Sequence, residues 1–95
     1  MDRIRMNELE AVVRRINQVA GTPEQPYIKE GDKYVAQIGC YHLSGAYGGY
    51  ALHQMVNESG GCRDVLRSGH MPKRELYERM HAFVEGLVTA KEGSR

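Results

Sequence analysis

The sequence predicts a single α+β domain with the element order α-β-β-β-α, in which two helices pack on a three-stranded antiparallel sheet. Apolar residues recur at helical spacing near both ends of the chain, at residues 1–20 and 72–90. Between them, residues 34–67 are rich in β-forming side chains, and two glycine-containing turns divide this stretch into three segments. A chain of 95 residues has room for one hydrophobic core, so we expect residues 1–95 to form one domain.

The first predicted helix is amphipathic and ends at a clear stop signal. Gly21 can adopt the left-handed conformation that terminates helices, and Pro23 cannot continue the hydrogen-bond ladder. The start is open between two caps, Asp2 or the pair Asn7 and Glu10. The apolar stripe that should face the core consists of Leu9, Val12, Val13, Ile16, Val19 and Ala20.

An irregular connection at residues 22–33 leads into the three predicted strands. These are Tyr34–Ser44, Tyr50–Asn57 and Cys62–Arg67, joined by glycine-rich hairpin turns. The third strand is short, and we predict that it lies at the edge of the sheet. Apolar side chains fall on both faces of the first two strands, so each face should be partly covered by other elements.

The second helix, at residues 72–90, has the most regular apolar stripe in the chain, formed by Leu76, Met80, Phe83, Val84 and Leu87. Pro72 suits the first helical turn, where its missing amide proton is no loss. Residues 91–95 are expected to form a flexible tail. The predicted common core consists of Leu9, Val12, Ile16, Ile38, Leu76, Met80, Phe83 and Leu87.

Charge and composition exclude several function classes for the chain as a whole. The formal net charge is +1 and 26% of the residues are charged, which argues against a nucleic-acid mimic and against a basic coat around nucleic acid. No segment approaches the roughly 20 apolar residues of a membrane span. We therefore expect a cytoplasmic protein that does not contact a membrane, with Cys40 and Cys62 as free thiols.

Five thiol and imidazole side chains raise the question of a metal site, but their spacing does not indicate one. Cys40 and His42 are two residues apart and share a strand face, whereas His53, Cys62 and His70 are scattered along the chain. Structural zinc sites take closely spaced pairs of ligands from tight turns. No residue lies in a recognisable nucleophile motif. The sequence thus predicts no metal, no cofactor and no catalytic residue, and the protein is expected not to be an enzyme.

Positive charge at the start of the second helix is the clearest indication of a binding site. Lys73 and Arg74 lie in the first helical turn, where they oppose the helix dipole unless an anion uses them. Arg63, Arg67 and His70 precede them and are expected to join the same neighbourhood. A basic helix start after three strands resembles the double-stranded RNA-binding module in its order of elements, which implies contacts to phosphates. These five residues form the predicted partner- or anion-binding site.

Alternating apolar residues on the first two strands predict a self-association face, formed by Tyr41, Leu43, Tyr50 and Leu52. The helices are expected to pack on the opposite face of the sheet. Either the first helix crosses to this face, or a second copy of the chain packs there. The chain has six tyrosines and one phenylalanine, and tyrosine suits an interface with a wet rim. We favour the second copy and predict a homodimer.

The C-terminal half contains three stretches that resemble known proteins: GYAL at 49–52, VNESGG at 56–61 and KRELYERMHAF at 73–83. Over roughly residues 41–87 the chain is similar to small uncharacterised accessory proteins of tailed bacteriophages and prophages. Members of this class often bind host or defence proteins, and the resemblance implies no assigned activity or site residues. The leading hypothesis is a non-enzymatic protein that binds a host or phage protein, in host takeover or anti-defence. A nucleic-acid-binding module is the alternative, and a small enzyme ranks third.

Overall fold

Two helices and two antiparallel sheets make up residues 3–93, the part of the chain that this computed structural model describes. The elements are α1 (Met6–Ala20), β1 (Tyr27–Glu30), β2 (Lys33–Ala36), β3 (Tyr41–Ala46), β4 (Gly49–Met55), β5 (Cys62–Asp64) and α2 (Lys73–Gly93). The predicted single α+β domain is confirmed. The prediction of one three-stranded sheet is wrong in part, because a separate two-stranded sheet of β1 and β2 precedes the sheet β3-β4-β5.

The extra sheet arises because the first predicted strand, Tyr34–Ser44, is broken by a turn. The Cys40 amide donates to the carbonyl of Gln37 at 3.2 Å, and Gly39 has a φ of 93° that favours glycine. The part before the turn is β2, which pairs with β1 in the segment predicted to be an irregular connection. Ile38 lies in the turn and is 54% exposed, so its predicted place in the core is wrong.

The sheet β3-β4-β5 has β5 at its edge, as predicted. Beyond β5 the chain leaves the sheet and returns at Met71, whose backbone exchanges two hydrogen bonds of 2.8 Å with Tyr50 on β4. A Cβ at Gly49 would lie 3.0 Å from the backbone N and O of Met71, so this close approach requires glycine. The return fixes the position of His70 beside β4.

Both ends of α1 are defined by hydrogen bonds. The amide of Arg5 donates to Glu8 Oε1 at 3.1 Å, and Gly21 closes the helix in the left-handed conformation with a φ of 73°. The predicted cap at Asn7 is wrong because Asn7 already lies inside the helix. The alternative cap, Asp2, is outside the described residues.

The side chain of Asn17 joins α1 to the start of β3. Asn17 is 1% exposed, and its amide group donates to the carbonyl of Tyr41 at 2.9 Å and accepts from the amide of Tyr41 at 2.8 Å. The hydroxyl of Thr22 donates to the same amide oxygen at 2.7 Å. A buried amide with its hydrogen bonds formed costs little to bury and fixes the position of β3 against the helix.

The predicted C-terminal helix is present and longer than expected. Residues 91–93, predicted to begin a flexible tail, continue α2, and residues 94–95 lie outside the described part of the chain. Leu76, Met80 and Val84 are fully buried, while Phe83 and Leu87 are partly buried against the same core. Among the described residues, no helix has both the length and the apolar content that crossing a membrane requires.

The main core lies between the two helices and one face of the three-stranded sheet. That face is the predicted self-association face: Tyr41 and Leu52 are buried, and Leu43 and Tyr50 are partly buried against the helices. The prediction that this face is open to a second copy is therefore wrong. Both helices pack here because it carries the larger apolar side chains, which gain the most from burial. The main core consists of Leu9, Val12, Val13, Ile16, Tyr41, Leu52, Met71, Leu76, Met80 and Val84.

Candidate functional site

The face of the three-stranded sheet that is turned away from the helices carries a cluster of imidazole, thiol and carboxylate side chains, which we call the histidine face: His42, His53, Cys62, Asp64 and His70. His42 on β3 pairs in register with His53 on β4, and His53 pairs with Asp64 on β5. Alternation along a strand turns these residues away from the helices, because their neighbours Tyr41 and Leu52 face the core. The sheet thus places three titratable side chains in one row.

The closest contact in the histidine face joins two strands that flank β4. His42 Nε2 lies 3.3 Å from Cys62 Sγ, and the other ring nitrogen, Nδ1, lies 3.4 Å from the carbonyl of Leu43. Cys62 is exposed and free, whereas Cys40 is free and buried. The ring centre of His53 is 6.0 Å from that of His42 and 5.9 Å from that of His70.

His70 and Asp64 connect the histidine face to the loop after β5. His70 Nε2 is 3.2 Å from the hydroxyl oxygen of Ser44, and the ring of Tyr47 lies edge-on at 6.1 Å. Asp64 Oδ2 accepts from the amide of Gly69 at 2.8 Å, which holds the loop down. Asp64 Oδ1 is buried, and no hydrogen-bond partner for it is found among residues 3–93.

Burial and neighbouring histidines lower the pKa of His53. Loss of hydration is the largest cause, the charges of His42 and His70 act in the same direction, and the carboxylate of Asp64 opposes them. The lowered pKa favours the neutral imidazole, which can accept a hydrogen bond or bind a metal ion. Burial also raises the pKa of the Cys40 thiol, which keeps it protonated and unreactive.

A second feature, the basic cavity, is an open concavity of about 600 Å³ beside the start of α2. Lys73 Nζ lies 5.7 Å from the centre of the Tyr50 ring, a cation–π distance. Arg74 Nη1 forms an ion pair with Glu78 Oε2, one turn further along α2, at 3.9 Å. Tyr47, on the hairpin turn next to the cavity residue Gly48, is fully exposed. The lining residues are Arg3, Ile4, Gly48, Tyr50, Pro72, Lys73 and Arg74.

The five residues predicted to bind a partner or anion differ in their contacts. Only Lys73 and Arg74 line the basic cavity. His70 belongs to the histidine face, and Arg63 Nε donates to Gln54 Oε1 at 2.8 Å on the sheet. Arg67 lies in the loop after β5 with a φ of 54°. The expectation that Arg63, Arg67 and His70 share one neighbourhood with Lys73 and Arg74 stays a prediction.

Sequence reasoning missed Arg3 and the carboxylate of Asp64. Nothing in the pattern relates Arg3 to α2, because their proximity depends on how the two helices pack. Asp64 could have been found, since counting two residues at a time along β5 places it on the same face as Cys62. Within residues 3–93, no group of three or more His, Cys, Asp or Glu side chains is already spaced to hold a metal ion.

Comparisons of the chain with protein-family models, with curated proteins and with solved structures found no match.

Proposed function

We propose that this chain is a non-enzymatic binding protein that holds an acidic surface of a protein partner at the basic cavity. The observation that carries the proposal is the lining of that cavity, whose charged residues are Arg3, Lys73 and Arg74. A carboxylate that enters meets three positive side chains, one of which, Arg74, also pairs with Glu78, and among residues 3–93 no negative side chain lines the cavity. Charge complementarity of this kind speeds association and selects among partners.

The position of Lys73 strengthens the attraction for an anion. Lys73 is the first residue of α2, so the partial positive charge of the helix N-terminus adds to the charge of its side chain. Its ammonium group lies over the neutral ring of Tyr50, a contact that orients the side chain without cancelling its charge.

One further observation supports a protein as the partner. Tyr47 projects fully exposed from the hairpin turn beside the cavity, and tyrosine is enriched in protein interfaces. We further propose that the partner is a host or phage protein, as in host takeover or anti-defence, which is what the expected resemblance of residues 41–87 to phage accessory proteins implies.

Fluorescence anisotropy with a labelled polyglutamate peptide tests the proposal. The wild-type chain should bind the peptide, and the affinity should fall as salt rises because exposed charges are screened. The double variant Lys73→Glu/Arg74→Glu should bind about tenfold more weakly or worse, since two attractions become repulsions.

The matched control is Lys29→Glu/Lys33→Glu, which makes the same change in net charge at two exposed positions on the β1–β2 hairpin. This variant should keep most of the wild-type affinity. Equal losses in the two double variants would trace binding to net charge alone and contradict a site at the basic cavity.

A nucleic acid is the second candidate ligand, and the tyrosines favour it. The ring of Tyr50 lies under Lys73, and Tyr47 is exposed on the hairpin turn next to the cavity residue Gly48. Aromatic rings next to basic residues are typical of nucleic-acid sites. A labelled RNA duplex in the same assay should then bind, and the salt slope should fall by about two in Lys73→Glu/Arg74→Glu. If the chain binds the duplex and does not bind polyglutamate, the ligand of the basic cavity is a nucleic acid and the proposal of an acidic protein partner is wrong.

A further inference from the structure

The contact between His42 and Cys62 has the geometry of two ligands on one metal ion. Zinc lies about 2.0–2.1 Å from an imidazole nitrogen and about 2.3 Å from a thiolate sulfur, so tetrahedral geometry separates the two ligand atoms by roughly 3.6 Å. The observed distance from His42 Nε2 to Cys62 Sγ is 3.3 Å. Metal binding would require these two atoms to separate by only a few tenths of an ångström.

The remaining contacts of His42 leave Nε2 available as a ligand. Nδ1 lies 3.4 Å from the carbonyl of Leu43, and donation of the Nδ1 proton to that oxygen places the lone pair on Nε2, towards Cys62. Metal-binding histidines usually donate their second ring nitrogen to a carbonyl or carboxylate in this way.

His53 is the nearest candidate for a third ligand. Two imidazoles on one zinc ion have ring centres roughly 5 Å apart, from the same bond lengths. The ring centres of His42 and His53 are 6.0 Å apart. A change in the side-chain torsions of His53 that moves its ring by about 1 Å would bring the two rings to the distance expected on one zinc ion. His70 is held by Ser44 at 3.2 Å and is not assigned as a ligand.

The buried carboxylate of Asp64 provides independent support. Asp64 is the register partner of His53, and its Oδ1 is buried without a hydrogen-bond partner among the described residues. A buried acceptor without a partner is costly, and the N–H of a metal-bound His53 ring would satisfy it.

We propose that the histidine face binds one zinc-class divalent ion through Cys62 Sγ, His42 Nε2 and His53, with Asp64 positioning the His53 ring. One sulfur and two imidazole nitrogens form a donor set that binds zinc in preference to magnesium and calcium. On binding, Cys62 loses its thiol proton to solvent and binds as the thiolate. The ion would join β3, β4 and β5 on the side of the sheet that the helices leave open.

Titration of the reduced full chain with Co²⁺, a spectroscopic substitute for zinc, tests the proposal. A thiolate-to-cobalt charge-transfer band should appear in the near ultraviolet, saturate at one ion per chain and disappear when Zn²⁺ is added. Cys62→Ser should abolish the band. His42→Gln and His53→Gln should each weaken Co²⁺ binding at least about tenfold.

The matched control is His81→Gln, which removes a histidine on α2 that lies against Tyr77 rather than on the histidine face. This variant should bind Co²⁺ as tightly as the wild-type chain. Circular dichroism should show that every variant keeps its fold. Absence of the band at millimolar Co²⁺ would overturn the proposal, as would undiminished binding by His42→Gln and His53→Gln, which would show binding to the thiol alone.

A measurement on the wild-type chain avoids any effect of substitution on folding. Long-range proton–nitrogen NMR spectra report the ring nitrogens of all four histidines. Addition of Zn²⁺ should shift the ring nitrogen signals of His42 and His53 and leave those of His81 in place. Shifts confined to other histidines would contradict the assigned ligands.

Discussion

His53 lies at the centre of the histidine face, between His42 on β3 and Asp64 on β5, with His70 against it from the loop. Two of these neighbours become positively charged in acid and one is negative. The partly buried ring therefore meets more opposition than support when it takes up a proton, which is why its pKa is lowered. The protonation of His53 therefore affects the stability of the fold.

The lowered pKa of His53 predicts that the metal-free chain loses stability in acid. The unfolded chain binds this proton with a pKa of about 6.5 and the folded chain binds it less tightly, so the free energy of unfolding falls as the pH drops below about 6.5. One proton sets a limit of about 1.4 kcal/mol per pH unit, reduced here because the ring is partly exposed. Thermal melts between pH 7.5 and 5.5 with a chelator measure the effect. His53→Gln should flatten the dependence, and a melting temperature of the wild-type chain that rises in acid would contradict the prediction.

Among the secondary-structure elements, the two helices were predictable because their apolar stripes repeat over several turns. The turn at Gln37–Cys40 was not predictable, because Ile38 continues a strand-like alternation of apolar residues. Glycine occurs both in strands and in turns, so Gly39 alone does not indicate a turn. Tyr27–Glu30 was missed as a strand because it spans only four residues between Pro26 and Gly31. Short strands gain their stability from a partner, and the pairing partner is not visible in the local pattern.

Substitutions at Leu76 and Ile38 distinguish the observed elements from the predicted ones. Leu76 is fully buried in α2, so Leu76→Ala should lower the free energy of unfolding by about 2–5 kcal/mol. Ile38 is mostly exposed in the turn, so Ile38→Ala should change it by less than about 0.5 kcal/mol. Urea denaturation followed by circular dichroism measures both. A loss for Ile38→Ala as large as that for Leu76→Ala would return Ile38 to the core.

At the scale of the whole molecule, the helices cover the face of the three-stranded sheet opposite to the one that the sequence predicted. Both faces carry apolar residues, so period-two alternation shows which side chains share a face but not which face the helices cover. The helices pack on Tyr41 and Leu52, and the face with His42 and His53 is covered only in part, where Ala36, Cys40 and Met55 form a second, smaller core. The basic cavity depends on the same packing, since it takes Arg3 from the segment before α1 and Lys73 from α2. The positive charge at the start of α2 could be predicted from the sequence, but the position of Arg3 at the same cavity could not.

The arrangement of layers predicts that Leu52→Asp unfolds the chain rather than separating two copies of it. Leu52 is fully buried between β4 and the helices, and an unpaired carboxylate there costs several kcal/mol, a large share of the stability of a small domain. Circular dichroism should show the loss of the cooperative thermal transition at neutral pH. The matched control is Tyr34→Asp on the hairpin, where the side chain is 71% exposed and the same charge should leave the melting temperature within a few degrees of wild type. A folded Leu52→Asp variant with half the mass of the parent by light scattering would instead place Leu52 in a contact between two copies.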